Sequence, residues 1–316
     1  MTEHPPTVAL TGASGFIGGR IARKLCSAGF RVRALVRSPA RATRLLQPEV
    51  TLVPGSLERL ESLRELVRGC SAVIHCAGAV RGVTQAQFDQ VNVKGVQRIA
   101  RAAREQSHPP RFLALSSLAA REPGLSPYAA SKRRGEEALA ECAADMPWMA
   151  LRPPAVYGPG DRELLPLFRI MARGLAPLVA PPGARFSVIY VDDLADAVLQ
   201  WLQREPVAEG VYELHDGRPG GYGWDDVIEA VEAVTGRRAR PLRIPRALLQ
   251  LPALVNWAAG RLLPYAPMLT PGKVRELRHR DWVADNRAIT ANLGWTPRTD
   301  LREGLQLTPG WRHDGD

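Results

Sequence analysis

A tyrosine and a lysine stand four residues apart in "SPYAASK", residues 126–132. Free tyrosine has a pKa of about 10, too high for easy proton exchange near neutrality. A neighbouring ammonium favours the phenolate and draws that value down. Residues i and i+4 share a helix face, so on a helix Lys132 can reach toward Tyr128. Bringing the phenol to about 7 takes roughly 3 units, or about 4 kcal/mol of differential stabilisation. Such a pair can pass a proton to, or take one from, the oxygen of a bound substrate.

A second group of residues suits phosphate. In "LTGASGFIGGRIARKL" (10–25), Gly12, Gly15 and Gly18 have the spacing G-x-x-G-x-x-G. Glycines allow a tight turn and let the backbone approach a pyrophosphate at the positive end of a helix. Ser14, Phe16 and Ile17 belong to the same loop and join it as cofactor-binding candidates. The spacing gains weight from its place, after a strand-like run and before an amphipathic stretch. The next strand-like run ends at Arg37. An acidic residue there would hold the ribose hydroxyls of NAD, whereas arginine offers a fork to the 2′-phosphate of NADP. Arg41 and Arg44 follow closely and add to that pocket. NADP is the expected cofactor, with NAD as the alternative.

These groups need a frame. Short apolar runs at 7–12, 31–37, 50–56, 71–78, 111–117 and 148–158 read as strands, bounded by Gly, Pro or Ser. Helix-length segments at 16–28, 58–68, 92–106 and 129–144 lie between them. This alternation predicts an α/β fold, a doubly wound Rossmann parallel sheet joined by crossover helices. After residue 158 prolines and glycines cluster, and two further helices are expected at 191–203 and 224–236. The expected plan is a dinucleotide-binding domain over 1–160, with 186–206 returning to it. A smaller C-terminal substrate-binding cap takes 161–185 and 207–316.

The chain has 316 residues, 45% of them hydrophobic, and a formal charge of +10. The charge favours acidic partners: a phosphorylated cofactor, an acidic carrier protein or an anionic lipid surface. Nucleic acid is not expected, because no zinc-finger spacing or RNA-binding aromatic signature accompanies the charge. The start, "MTEHPPTVAL", lacks a basic region followed by an apolar run, so a cytoplasmic protein without a signal peptide is expected. The apolar stretch at 247–260 is too short to span a bilayer and contains a proline and an asparagine. Cys26, Cys70, Cys76 and Cys142 show no metal-ligand spacing; they read as reduced core thiols, and no metal site is expected.

The motifs "TGASGFIG", "VIHCAG", "LSS" and "YAASK", in that order, resemble the extended short-chain dehydrogenase/reductase superfamily. "LRPPAVYGPGD", "FSVIYVDDLADAV" and "LGWTPRTDLREGL" extend the resemblance over most of the chain. Within it the chain is most similar to the NAD-dependent epimerase/dehydratase and 3β-hydroxysteroid dehydrogenase/dihydroflavonol reductase branches. The resemblance implies a nicotinamide cofactor and a catalytic triad of Ser117, Tyr128 and Lys132. It implies that Ser117 binds the substrate oxygen and that Lys132 also binds the nicotinamide ribose. It places Cys76, Ala77 and Gly78 in a loop packed on the cofactor, and Pro153 and Val156 in a loop at the carboxamide. Asn92 matches a family asparagine, although a helix N-cap explains it equally well. His75 reads as structural.

Two departures stand out. In "PGSL" (54–57), Ser56, followed by Leu57, replaces the aspartate that usually contacts the adenine, so altered adenine contacts are expected. Only ten residues separate Ser117 from Tyr128, where many relatives carry a longer insert. The short loop suggests an open pocket. The expected activity is hydride transfer between a nicotinamide cofactor and a ketone/alcohol substrate. The apolar stretches "ALLQLPALVNW" and "LLPYAPML" favour an apolar or carrier-linked substrate. Beside the basic "RRARPLRIPR" (237–246), the first of them also reads as a candidate membrane-contact segment, or simply as core. The alternatives are a sugar-nucleotide epimerase or dehydratase and, from another class, a non-catalytic nucleotide-binding scaffold. A homodimer is a further expectation, by analogy with relatives.

Overall fold

Val8 and Leu10 point to one face of a sheet and Ala9 to the other, and all three are fully buried. That is the period-2 pattern of a strand covered on both sides. In the computed structural model, which describes residues 5–44, 46–263 and 265–312, they lie on β1 (Thr7–Thr11). The chain continues through β2 (Arg31–Val36), β3 (Thr51–Pro54), β4 (Ala72–His75), β5 (Arg111–Leu115), β6 (Trp148–Arg152) and β7 (Gly210–Glu213). All seven pair in parallel, in the order β7-β6-β5-β4-β1-β2-β3. The first four residues of the N-terminal stretch, and Pro264 of "LLPYAPML", lie outside the described residues.

Helices cover both faces. On the Val8 and Leu10 side lie α1 (Phe16–Ser27) and, from later in the chain, a helix at Val191–Gln203. Opposite pack α2 (Leu60–Val67), α4 (Lys94–Arg104) and α5 (Pro127–Ala143), with α3 (Gln85–Asn92) running into α4. We label the Val191–Gln203 helix α6. Its Asp192 and Asp196 pair with Arg20 and Lys24 of α1. The chain leaves β1 toward β2 and later builds outward from β4. The crossovers therefore diverge at the carboxyl ends of β1 and β4, which opens a crevice there.

Three boundaries differ from the sequence expectation. The run at 148–158 is not one strand. Pro153 and Pro154 cannot donate to a ladder, so β6 stops at Arg152 and Ala155–Tyr157 pairs separately with Val188–Tyr190. The helix expected at 92–106 is two, broken at Val93 (φ −112°, ψ −64°), and its first half begins earlier, at a Thr84/Gln87 capping box. Residues 210–213, expected in the cap, form the seventh strand of the main sheet beside β6.

A third core cluster, apart from those on the two sheet faces, includes Tyr157, Phe168, Met171, Val231 and Trp311. α7 (Trp224–Thr235), which ends on left-handed Gly236, packs into it, and α8 (Arg246–Leu262) and α9 (Pro271–Leu277) follow. Among the described residues no helix is long and apolar enough to cross a membrane. The four thiols are free; Cys70 and Cys142 are buried, Cys26 and Cys76 half-buried.

Candidate active site

The glycine turn lies at the crevice. Gly12 has φ +73°, and a Cβ there would stand 2.7 Å from the Ala77 amide nitrogen. A Cβ on Gly18 would stand 2.2 Å from the Gly12 carbonyl oxygen. Gly12 therefore allows the turn to lie against the loop after β4, and Gly18 allows α1 to start close beneath it. Ser14 and Gly15 are exposed at the start of α1, while Phe16 and Ile17 are half-buried, Ile17 against the core. Thr11 joins the two loops: its Oγ1 accepts from the Ala77 amide at 3.2 Å and meets His75 Nδ1 at 2.8 Å.

The proposed adenosine end is basic. Arg37, Arg41 and Arg44 are exposed, and among the described residues their guanidinium groups form no ion pair or hydrogen bond. The Gly55 amide bonds to Val36 oxygen at 2.9 Å, which brings Ser56 beside the end of β2. The Ser56 hydroxyl already accepts from the Glu58 amide at 3.3 Å. Leu57 is half-buried and packs toward Gly95 of α4.

His75 is buried, and burial with the nearby Lys132 charge holds its pKa down at about 3. Unfolded, it returns to about 6.5. Between these values the unfolded chain binds the extra proton. The stabilising contribution is thus complete above about 6.5 and is lost as pH falls through about 3. His75→Leu should flatten the fall in stability between pH 6.5 and 3 by on the order of 3–5 kcal/mol, read by urea unfolding. An unaltered slope would show that His75 titrates alike in both states.

Ser126 caps α5, accepting from the Ala129 amide at 3.0 Å, and Pro127 occupies the first turn. This fixes Tyr128 on the first turn of α5 and Lys132 one turn on. Ser117 follows β5; its hydroxyl accepts from the Ala119 amide at 3.2 Å and also hydrogen-bonds Tyr128. The sequence expectation for Tyr128 requires correction. Its pKa is not drawn down. Burial pushes it up to about 12; the Ser117 hydrogen bond works against this, and the Glu276 carboxylate adds to it. The Lys132 Nζ donates to the Leu115 carbonyl at 2.9 Å, and a Cβ on Gly78 would stand 3.2 Å from it. Lys132 thus lies at the crevice beside the loop of Cys76, Ala77 and Gly78. Burial lowers its pKa to about 8, opposed by the charge of Glu136. The Cys76 thiol is pushed up by burial to about 12 and stays protonated.

Asn92 is not an N-cap. It ends α3, where its amide oxygen accepts from the Ala79 amide at 2.8 Å. Its amide nitrogen donates to Ala79 oxygen at 3.0 Å and to Ser131 at 2.9 Å, clamping the loop after β4 onto α5. Pro153 is buried, and its carbonyl accepts from the Leu118 amide at 2.9 Å. Val156 is half-buried against the sheet core and pairs with Ile189.

Two groups were not singled out from sequence. Glu136, four residues after Lys132, takes Arg152 Nε at 2.8 Å and Nη2 at 2.6 Å, with Ser116 Oγ at 2.5 Å. Its i+4 spacing from Lys132 was the available signal. Glu276 of α9 accepts from the Ser126 hydroxyl and from Lys273 Nζ at 2.9 Å. It comes from far along the chain and carried no local signal. Between Tyr128 and the cap lies a cavity of about 250 Å³. Val83, Phe88, Leu254, Trp257 and Met268 give it an apolar wall; Tyr128, Lys273 and Glu276 give it a polar end.

A glycine turn at the sheet crevice, with a Ser–Tyr–Lys group beside it, agrees with the sequence profile of the NAD dependent epimerase/dehydratase family, which matches residues 8–214. The chain belongs to that family. It is 38% identical over 312 residues to the ceramide reductase of Caulobacter vibrioides, covering 98% of this chain and 95% of that one. It is 26% identical to the 2-alkyl-3-oxoalkanoate reductase of Stenotrophomonas maltophilia, covering 95% and 97%. The UDP-glucose 4-epimerase of Thermotoga maritima, solved with UDP-glucose, shares the fold at a TM-score of 0.73 and 21% identity, covering 96% and 97%. The family member described here is an NAD(P)-dependent reductase or dehydrogenase of the extended short-chain type.

Proposed function

We propose that this enzyme reduces a ketone carried on an apolar chain, with NADPH as cofactor and Tyr128 as proton donor. The observation that carries the reading is the apolar-walled cavity that meets Tyr128 at its polar end. The names of the ceramide and 2-alkyl-3-oxoalkanoate reductases point the same way.

The residues present fit a dinucleotide: Gly12 and Gly18, where a Cβ would strike the Ala77 amide and the Gly12 carbonyl, keep the turn tight against the start of α1 and leave Ser14 and Gly15 exposed at the crevice. The turn from Gly12 to Gly18, with Ser14, Phe16 and Ile17, would hold the pyrophosphate at the start of α1. Arg37 and Arg44 would take the 2′-phosphate, and Ser56 and Leu57 would flank the adenine. Cys76, Ala77, Gly78, Lys132, Pro153 and Val156 would line the path to the nicotinamide. Bound there, the cofactor supplies the hydride. Tyr128, protonated throughout the neutral range, gives its proton to the substrate oxygen. Ser117 donates a hydrogen bond to that same oxygen. Lys132, charged below its pKa of about 8, would hold the nicotinamide ribose.

The test is a series of ketones of increasing alkyl length, followed by loss of NADPH absorbance. We expect kcat/KM to rise with length. Turnover confined to UDP- or dTDP-sugars would replace this reading with epimerase or dehydratase chemistry. Arg37→Glu should lower kcat/KM for NADPH about 10- to 100-fold with little change for NADH, the scale of one lost charge-assisted contact. Equal effects on both cofactors would remove Arg37 from the phosphate pocket.

A further inference from the structure

Helix α8 turns its apolar side outward. Leu248, Leu251, Val255 and Leu262 follow one another at spacings of three, four and seven, which places them in one stripe. Their exposures are 64%, 69%, 61% and 85%. The side turned inward carries Ala253 and Gly260, and a Cβ on Gly260 would stand 2.7 Å from Val83. A surface helix of a globular domain normally shows the reverse arrangement. The stripe is embedded in cationic chain. Between residues 237 and 275 there are eight Lys or Arg and no Asp or Glu. Arg240 and Arg243 lie on the exposed strand Arg240–Arg243 just before α8, and among the described residues they form no ion pair. Near the other end of the helix, Arg261 stacks over Trp257 at 4.1 Å.

We infer that α8 is a docking helix for an anionic lipid bilayer. Leu248, Leu251, Val255 and Leu262 enter the acyl boundary, and Arg240, Arg243 and Arg246 meet the lipid phosphates. A leucine-bearing face flanked by arginine is the chemistry of a helix lying in the membrane interface. A second copy fits the surface poorly, because a two-fold contact would set the same uncompensated arginines against one another. The helix also leads to the active site. Leu254 and Trp257 of α8 line the cavity at Tyr128, so a docked helix turns the cavity toward the lipid. This last step, substrate entry from the bilayer, rests on the apolar-ketone reading; the docking itself does not.

The full chain would be sedimented with phosphatidylcholine vesicles containing 30% phosphatidylglycerol, and with phosphatidylcholine alone. The expected result is pelleting with the anionic vesicles that weakens as salt rises. Leu251→Glu with Leu262→Glu should lower the partition coefficient at least about tenfold, as two charges enter the stripe. Arg240→Ala with Arg243→Ala, on an exposed strand, should flatten the salt dependence. Neither pair lines the cavity, so turnover of a short water-soluble ketone should stay within about twofold and certifies that the variants are folded. Wild-type protein left in the supernatant, or a leucine variant that pellets like wild type, overturns the inference. So does a wild-type dimer without vesicles that the leucine variant converts to monomer. Failure to turn over any ketone without vesicles would count against the reductase reading alone.

Discussion

Tyr128→Phe should lower kcat about 10³-fold, within the range lost with a general acid. Affinity for the reduced nicotinamide cofactor, read by fluorescence titration, should change by less than about twofold. The variant keeps the ring against Phe88, an edge contact at 6.0 Å between centroids, and keeps the Ser126 cap of α5. It loses the phenolic oxygen and the hydrogen bond to Ser117, which costs about 1 kcal/mol of stability at most. A variant retaining a tenth of wild-type kcat would exclude Tyr128 as the proton donor. The pH dependence separates this account from one with an acidic phenol. Burial lifts the phenol from 10 to about 12, a difference of about 3 kcal/mol in favour of the protonated form. In the reduction direction the rate should stay flat through neutrality. It should then fall near pH 8, where Lys132 loses its charge, and not near 7.

The sequence carried the frame because burial on two faces leaves a signal that needs no distant partner. Each of the first five strands was readable from its own Val, Leu and Ile, and four of the crossover helices from their own stripes, whereas Gln85–Asn92 was missed. The glycine turn was readable because close backbone approach excludes every side chain. The structure names the obstacles directly: the Ala77 amide for Gly12 and the Gly12 carbonyl for Gly18. Legibility ended where geometry depends on remote chain. The spacing of Tyr128 and Lys132 told of a shared helix face, but not of the Leu115 carbonyl that accepts from the ammonium. Nothing near Tyr128 announced Glu276 on α9. Strand β7 was missed because Gly210–Glu213 gains its identity from pairing with β6, and its alternation is too short to show alone.

The buried carboxylate of Glu136 supports the second large effect. It neutralises Arg152, whose side chain is only 13% exposed, and it keeps Lys132 more basic than burial alone would allow. Glu136→Gln preserves shape and removes the charge, so Arg152 keeps its charge in a site that no longer balances it. Breaking one side of a buried pair costs about 3–5 kcal/mol, and the midpoint of urea unfolding at pH 7 should fall accordingly. Lys132 should respond in the same variant. Its pKa falls from 10.5 in the unfolded chain to about 8 in the fold, so the unfolded state binds more protons between those values. Stability from this group therefore rises with pH across that window and is lost as pH falls through about 8. Without the Glu136 charge the folded value drops further and the window extends downward. The alkaline fall in kcat/KM should move to lower pH along with it. A limb that stays at wild-type pH while stability drops would mean that Glu136 supports Arg152 and the sheet but has no electrostatic influence on the active-site lysine.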